Sequence, residues 1–301
     1  MRDLLYLPPR WTLPTQAIGL LVPDLVNPIF PLLAQAIEEN ARKAGFATIL
    51  CNTASSPKLE VDYFRALRER RVAGMMFLCS DVLDRAQYTR FLDDGVRLVF
   101  VNSDSEGLDA TLIGIDERAA GRVASEHLLE LGHTSIGLAT GSQNSMATRL
   151  KRDGAQRALQ LAGLDPTGWI AYESFTFEGG RRALRALQET MERSPTGVIC
   201  ANDLIAIGVM AEAAEQGLRV PGDLSVVGFD GTLAASYCSP PLTTIEQPVA
   251  DLAESAVKAL VTLVAESRRS LPSLIFQPRL RVGGSTGPPP GDPGDPSGDA
   301  A

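Results

Sequence analysis

Asn and Asp side chains recur where a strand-like run ends and a helical segment begins. Their amide and carboxylate groups can donate or accept hydrogen bonds in pairs, which suits a polyhydroxylated ligand such as a sugar. If the strands are parallel, these side chains lie at the sheet edge where open α/β folds bind ligands. The same residue types also cap helices, which is an equally good explanation for each. The residues in these positions are Asn102, Asp116, Asn202, Asp203 and Asp230.

Two further groups of side chains are candidates for ligand contacts. The helical segment 148–162 begins with cations, which oppose the helix dipole and need a compensating anion. That anion can be Asp153, another carboxylate or a ligand, although a solvated charged face also explains the pattern. Phe175 and Phe177 precede the next helix and can stack on a flat ligand or pack in the core. The cations are Arg149, Lys151 and Arg152.

Motifs for other chemistry are missing from the sequence. The turn after the first strand-like run lacks the glycines of a dinucleotide fingerprint and carries Asp24 instead, which disfavours NAD and FAD. The sequence has no P-loop, no nucleophile elbow and no metal-ligand spacing around His127 or His133. We therefore expect no cofactor, no metal and no enzyme, with a hydrolase that uses Asp116 or Asp230 as the weakest alternative.

Composition limits the class of protein. The 301 residues correspond to roughly two domains, and 45% hydrophobic with 21% charged residues is ordinary for a globular chain. A net charge of −8 provides no positive field for nucleic acid. Without a membrane-length apolar run or a signal-peptide core, the sequence predicts a cytoplasmic protein that does not enter a membrane. The dispersed cysteines are expected to be buried hydrophobic residues.

Strand-like runs alternate with helical segments in two series, which predicts parallel sheets with crossover helices. The first series has strands at 17–22, 46–51, 73–78 and 97–101 and helices at 28–44, 58–71, 83–93 and 116–131. The second has strands at 135–139, 169–172, 197–200 and 224–228 and helices at 148–162, 178–193 and 203–216. A stiff connection at 240–245, a helix at 248–266 and short strands at 274–276 and 279–282 follow. Residues 1–16 are predicted to be an extended lead-in and 283–301 a disordered tail.

Several stretches occur together in the order known from one family. Residues 18–30, IGLLVPDLVNPIF, resemble the opening of the regulatory core of LacI/GalR-type transcriptional regulators. Further similar stretches are EHLLELGH at 126–133, AND at 201–203, GLRVPGDLSVVGFD at 217–230 and PLTTIEQP at 241–248. Residues 278–286 resemble the family's end.

The resemblance implies an α/β fold of two Rossmann-like subdomains with three crossovers, like a type I periplasmic binding protein. The expected N-terminal subdomain is 17–132 plus 248–274, and the C-terminal subdomain is 133–247 plus 275–282. A small effector would bind in the cleft between the subdomains.

Individual positions carry over from the family. Ile29 and Phe30 match cleft-wall positions, and Asp116 matches a polar one. Phe175 matches an aromatic stacking position, and Asn202 and Asp230 match hydrogen-bonding positions. Where the family usually has an effector-binding Arg, this chain has Lys151, flanked by Arg149 and Arg152. Lysine cannot make the planar bidentate contact of arginine, so either the effector differs or a neighbouring Arg substitutes.

The resemblance predicts an effector-binding and dimerisation core that takes a small metabolite, expected to be a carbohydrate, and forms a homodimer. The family's helix-turn-helix headpiece has no counterpart in the 16 residues before the first strand, so operator DNA is expected as a partner only with a headpiece restored. A stand-alone sugar-binding protein for transport or chemoreception is the alternative from another class.

Overall fold

The computed structural model describes residues 16–79, 85–103, 107–143, 145–166 and 168–291. The strands are β1 (Ala17–Val22), β2 (Ala47–Asn52), β3 (Gly74–Leu78), β4 (Leu98–Val101), β5 (Thr111–Ile115), β6 (Ile136–Thr140), β7 (Ile170–Tyr172), β8 (Gly197–Cys200), β9 (Ser225–Asp230), β10 (Thr243–Glu246), β11 (Leu274–Phe276) and β12 (Arg279–Arg281). The helices are α1 (Ile29–Lys43), α2 (Pro57–Glu69), α3 (Arg85–Asp93), α4 (Glu117–Glu130), α5 (Met146–Leu161), α6 (Phe177–Thr190), α7 (Asp203–Glu215), α8 (Leu233–Tyr237) and α9 (Val249–Ala265).

The strands form two six-stranded, mostly parallel sheets in the described part of the chain. The first sheet has the order β11-β5-β4-β3-β1-β2, and the second has the order β12-β10-β9-β8-β6-β7. In the second sheet only β12 runs antiparallel to its neighbour. The predicted α/β class with two Rossmann-like halves is thereby confirmed.

The chain divides into two compact units. The first contains the described residues of Met1–Val26, Phe30–Ile113 and Val249–Ser273, and the second those of Asn27–Ile29, Gly114–Pro248 and Leu274–Ala301. The predicted first boundary after residue 132 therefore differs from the structure, in which α4 belongs to the second unit.

Close packing of α4 on α5 explains where α4 belongs. A Cβ atom on Gly121 would lie 1.9 Å from the carbonyl oxygen of Lys151, and one on Gly154 would lie 2.0 Å from that of Arg118. Only glycine allows the two backbones to approach this closely. Helices α6 and α7 meet in the same way, because a Cβ on Gly180 would lie 2.1 Å from the carbonyl oxygen of Ile205.

The second sheet is covered on both faces, and its strand residues alternate between two apolar clusters. Ile199, Val227 and Phe229 pack in the cluster that includes α4 and α5 side chains. Val198, Cys200 and Val226 pack in the one that includes α6 and α7 side chains. The period of two residues follows from the strand backbone, and burial of both faces explains the continuous apolar runs in the sequence.

Two predictions about the C-terminal part of the chain are wrong. The stiff connection expected at 240–245 contains strand β10, because Thr243, Thr244 and Ile245 are β-branched and pair with β9. Residues 283–291, expected to be disordered, are held on the second sheet. The Ser285 hydroxyl donates to the carbonyl of Val226 (2.6 Å) and accepts from the amide of Thr243 (2.8 Å).

Two histidines, buried His133 and half-buried His127, complete this attachment. His133 Nε2 lies 2.9 Å from the carbonyl oxygen of Gly287, and His127 Nε2 lies 2.9 Å from the Thr286 hydroxyl. Side-chain bonds therefore order a segment whose composition lacks apolar residues. Residues 1–15 of the predicted lead-in at 1–16 and residues 292–301 of the predicted tail lie outside the described residues.

Candidate functional site

The candidate site lies in the second unit, at the carboxyl ends of the parallel strands β6 to β10, here called the carboxyl edge. Asp230 ends β9, Asn202 follows β8 and its flanking Ala201, Gly141 follows β6, and Phe175 follows β7 by three residues. Parallel pairing places these strand ends on one side of the sheet. The structure therefore places Asp230 and Asn202 along one edge, as the strand-end pattern predicted, and adds Phe175 to the same edge.

Asp230 is a buried carboxyl group at the centre of this edge. Its Oδ1 accepts from Gln247 Nε2 (2.7 Å) and its Oδ2 from Asn27 Nδ2 (3.4 Å). Burial, followed by the nearby Asp203 carboxylate, raises the pKa of Asp230 well above its usual range. Its backbone φ of 122° is a strained conformation for a residue with a side chain, and such strain is typical of ligand sites.

Asp203 has a structural role one strand away. Its Oδ2 accepts from both the amide and the hydroxyl of Thr232 (2.7 Å each), and its Oδ1 accepts from the Thr244 hydroxyl (2.6 Å). Burial raises the pKa of this carboxyl, while these hydrogen bonds work against the rise. Asp203 thus ties the start of α7 to the segments after β9 and in β10, and its oxygens are occupied.

Only one of the two polar side-chain atoms of Asn202 has a hydrogen bond in the structure. Its Oδ1 caps α7 by accepting from the amide of Ile205 at 2.8 Å. Its Nδ2 is buried and has no hydrogen-bond partner, although the residue is only 3% exposed. A buried amide nitrogen without an acceptor is costly, so this donor indicates a place for an acceptor group of a ligand.

Phe175 stands at the end of the edge beside β6. A Cβ on Gly141 would lie 1.9 Å from its ring atom Cζ and within 2.4 Å of both Cε atoms. The missing side chain of Gly141 therefore makes room for the ring, which stays 36% exposed. An exposed aromatic ring supported from behind is suited to stack on a flat ligand. Phe177 begins α6 and is also exposed.

The cations of α5 interact with neighbouring protein groups. Lys151 Nζ donates to the carbonyl oxygen of Ala201 (3.1 Å), lies 3.5 Å from Glu117 Oε2 and sits 3.4 Å from the centre of the Phe229 ring. Arg152 bonds to Asp153 Oδ1 (2.7 Å) and to the Tyr172 hydroxyl (3.3 Å). Asp153 is therefore one of the anions that were expected to compensate the cations at the start of α5.

Arg149 is half-buried in the first turn of α5 and has an interaction partner of its own. Asp116 caps α4, because its Oδ1 accepts from the amide of Ala119 at 2.9 Å. The capping alternative for Asp116 is therefore confirmed, and its ligand contact stays a prediction.

The remaining predicted residues lie elsewhere. Ile29 is buried in the second unit, where its amide donates to Asn27 Oδ1 at 3.3 Å. Phe30 and Asn102 belong to the first unit, where Phe30 is half-buried and Asn102 is buried directly after β4 with a φ of 48°. Their contacts to a ligand stay predictions.

A small, partly open recess lies between the second sheet and helices α4 and α5. Small and apolar residues such as Ala120, Ala124 and Ile199 line most of it. Its polar lining includes Lys151 and Thr148, whose hydroxyl is buried without a hydrogen-bond partner.

Sequence reasoning missed Asn27, Gln247, Glu117 and Gly141. Gln247 directly follows β10 and would have joined the strand-end set had that strand been recognised. Asn27 lies 203 positions from Asp230 along the chain, and no local pattern indicates that contact. Glu117 and Gly141 had local signals, namely a second acid at a helix start and a glycine after a strand.

In the described residues, no group of His, Cys, Asp and Glu side chains has the arrangement of a metal site. No helix there combines the length and apolar character that a membrane crossing requires.

The fold and the site define a periplasmic-binding-protein-like effector domain. The model of the periplasmic binding protein-like domain matches residues 125–286. An uncharacterized HTH-type transcriptional regulator in the aml 5′ region of Streptomyces limosus is 38% identical over 277 residues, covering 89% of this chain and 78% of that protein. The HTH-type regulator MalR of Streptomyces coelicolor is 35% identical over 288 residues, covering 93% and 83%.

Solved structures agree. A LacI family regulator from Enterococcus faecium with bound ribose has a TM-score of 0.79 and 28% identity, with 91% of this chain and 99% of that one covered. The regulator CelR in complex with cellobiose has a TM-score of 0.81 and 25% identity, with 90% and 86% covered. This chain belongs to the LacI/GalR family of transcriptional regulators, and it contains that family's effector-binding core.

Proposed function

We propose that the carboxyl edge of the second sheet binds a small carbohydrate, which acts as the effector of a transcriptional regulator. The unpartnered amide nitrogen of Asn202 is the observation that carries this proposal, because it offers a buried donor next to the carboxyl group of Asp230. Relatives with solved structures bind ribose and cellobiose, which supports a carbohydrate.

Each residue has a distinct role in this proposal. Asn202 Nδ2 donates to a ligand oxygen, while its Oδ1 continues to cap α7. Asp230 exchanges hydrogen bonds with ligand hydroxyls and is oriented by Gln247 and Asn27. The Phe175 ring, supported by Gly141, stacks on the apolar face of a sugar ring.

Effector binding regulates only if the ligand has different affinities for two states of the protein. We propose that the protein is a cytoplasmic homodimer that couples this difference to operator binding through a headpiece of the kind its relatives carry. Leu233, Tyr237 and Val282 in the second unit are exposed apolar side chains, and we take them as candidates for the dimer contact. A strict monomer in size-exclusion chromatography would contradict the dimer.

The experiment is a thermal-shift screen of neutral and charged mono- and disaccharides, followed by calorimetric titration of the hits. We expect Asp230→Asn to weaken binding by about tenfold or more, because it changes a buried hydrogen-bonding group. The matched control Asp251→Asn changes an exposed acid of α9, which belongs to the first unit, and should leave affinity unchanged. Equal affinity in Asp230→Asn and wild type would refute the site.

A further inference from the structure

We infer that the effector is an uncharged saccharide. Glu117 neutralises the charge of Lys151, and the site therefore excludes phosphorylated and carboxylated sugars. This inference rests on the proposed function and specifies the ligand class of the same site. It arises from the surroundings of Lys151.

The ammonium group of Lys151 interacts with neighbouring groups of the protein. An ammonium group has three N–H donors. Lys151 Nζ has three neighbours, namely the carbonyl oxygen of Ala201 (3.1 Å), the Glu117 carboxylate (3.5 Å) and the face of the Phe229 ring (3.4 Å to its centre). These contacts hold the ammonium between α5 and the sheet and direct it toward groups of the protein.

Glu117 cancels the charge of Lys151. Both side chains are largely buried, with 6% and 15% of their surfaces exposed. Burial raises the pKa of Glu117, and Lys151 works against that rise by favouring the carboxylate. Glu117 Oε2 has no hydrogen bond in the structure, so the ion pair to Lys151 is its compensation. The pair is a neutral unit beside the carboxyl edge.

Other cations near the edge, among the described residues of the second unit, also have partners. Arg152 bonds to Asp153, and Arg182 pairs with Glu173 after β7. Arg281 lies 3.2 Å from Glu246 at the end of β10, and Arg149 has its own partner.

The acidic groups at the edge complete the argument. An anionic ligand at Asn202 would lie near the carboxyl groups of Asp203 and Asp230, and the cations that act on these groups, Lys151 and Arg281, are already paired with Glu117 and Glu246. Burial makes an unpaired ligand charge costly at this position, whereas hydroxyl groups meet the Asn202 donor and the carboxyl oxygens of Asp230.

The test compares matched neutral and anionic ligands by calorimetric titration. The probes are ribose with ribose 5-phosphate, and glucose with glucose 6-phosphate and gluconate. In the wild type we expect the neutral member of the bound pair to bind at least about tenfold more tightly than its anionic partner. Glu117→Gln leaves the Lys151 charge uncompensated. In this variant the ratio of the affinity for the neutral ligand to that for its anionic partner should fall about tenfold.

The double variant Glu117→Gln/Lys151→Met removes both charges and is the matched control, in which the ratio should return to the wild-type value. It also carries the test alone if Glu117→Gln does not fold. In that case a rise of the ratio above wild type would show that Lys151 attracts anions, which overturns the inference.

Other outcomes are equally informative. An unchanged ratio in folded Glu117→Gln, or tighter binding of an anionic member by the wild type, refutes the neutral class and leaves the carbohydrate proposal standing. If no saccharide binds, neutral or charged, the proposed function itself fails.

Discussion

Replacement of Asn202 by Ser separates ligand binding from helix capping. Serine is as good an N-cap as asparagine, so the bond to the amide of Ile205 has a replacement. The variant lacks the buried Nδ2, which has no partner in the structure. A buried donor without a partner costs about 1–3 kcal/mol, so its removal should leave the free energy of unfolding of the ligand-free protein unchanged or raise it by about 1 kcal/mol.

Ligand affinity should move in the opposite direction. Loss of one hydrogen bond to a neutral ligand is worth about 0.5–1.5 kcal/mol, which corresponds to about a two- to tenfold weaker Kd. Urea denaturation without ligand measures the first effect, and calorimetric titration with the best saccharide measures the second. Most single substitutions at buried positions lower stability and affinity together, so opposite signs are diagnostic.

Asn202→Ala is the matched control, because it removes both the cap and the donor. It should lower the free energy of unfolding by about 1 kcal/mol relative to Asn202→Ser. If Asn202→Ser is destabilised as much as Asn202→Ala, or binds the saccharide as tightly as the wild type, the reasoning about the unpartnered amide is wrong.

Three further predictions concern packing, pH and stacking. Gly121→Ala should lower the free energy of unfolding by at least about 2 kcal/mol in denaturant titrations, because its methyl group would lie 1.9 Å from the carbonyl oxygen of Lys151. Burial lowers the pKa of His133, so the neutral imidazole stabilises the folded state fully above about pH 6.5. This contribution to stability decreases as the pH falls below that value. The urea midpoint should therefore decrease from pH 7.5 to 5.5, and less so in His133→Gln; equal decreases would contradict this account. Phe175→Ala should weaken saccharide binding by about 1 kcal/mol with little effect on the melting temperature, and Gly141→Ala should weaken binding similarly by displacing the ring; tight binding by both would exclude stacking.

Much of the fold could be predicted from local pattern. Buried parallel strands are continuous apolar runs, and the runs that became β1, β3, β4 and β8 stand out between amphipathic helices. Strand β10 was missed because two prolines precede its threonines and obscure the β-branched run. The order at 283–291 was missed because it depends on hydroxyl and histidine hydrogen bonds to distant strands, which composition does not reveal.

The candidate site was predictable where a polar residue also ends a strand. The strand-end pattern pointed to Asn202 and Asp230, whereas Phe175 came from its position before a helix and from the resemblance to the family. The environment of Lys151 was not predictable, because its partners come from α4, β9 and the end of β8. The membership of α4 in the second unit depends on Gly121 and Gly154, glycines inside helices that are visible in the sequence but whose partners are not.

A crystal structure of the protein with the best neutral saccharide tests the central claim most directly. The account predicts a ligand oxygen within hydrogen-bond distance of Asn202 Nδ2, a hydroxyl on Asp230 and the sugar ring against Phe175, with Lys151 still beside Glu117. A saccharide bound away from the carboxyl edge, or Lys151 released from Glu117 to contact it, would contradict the account.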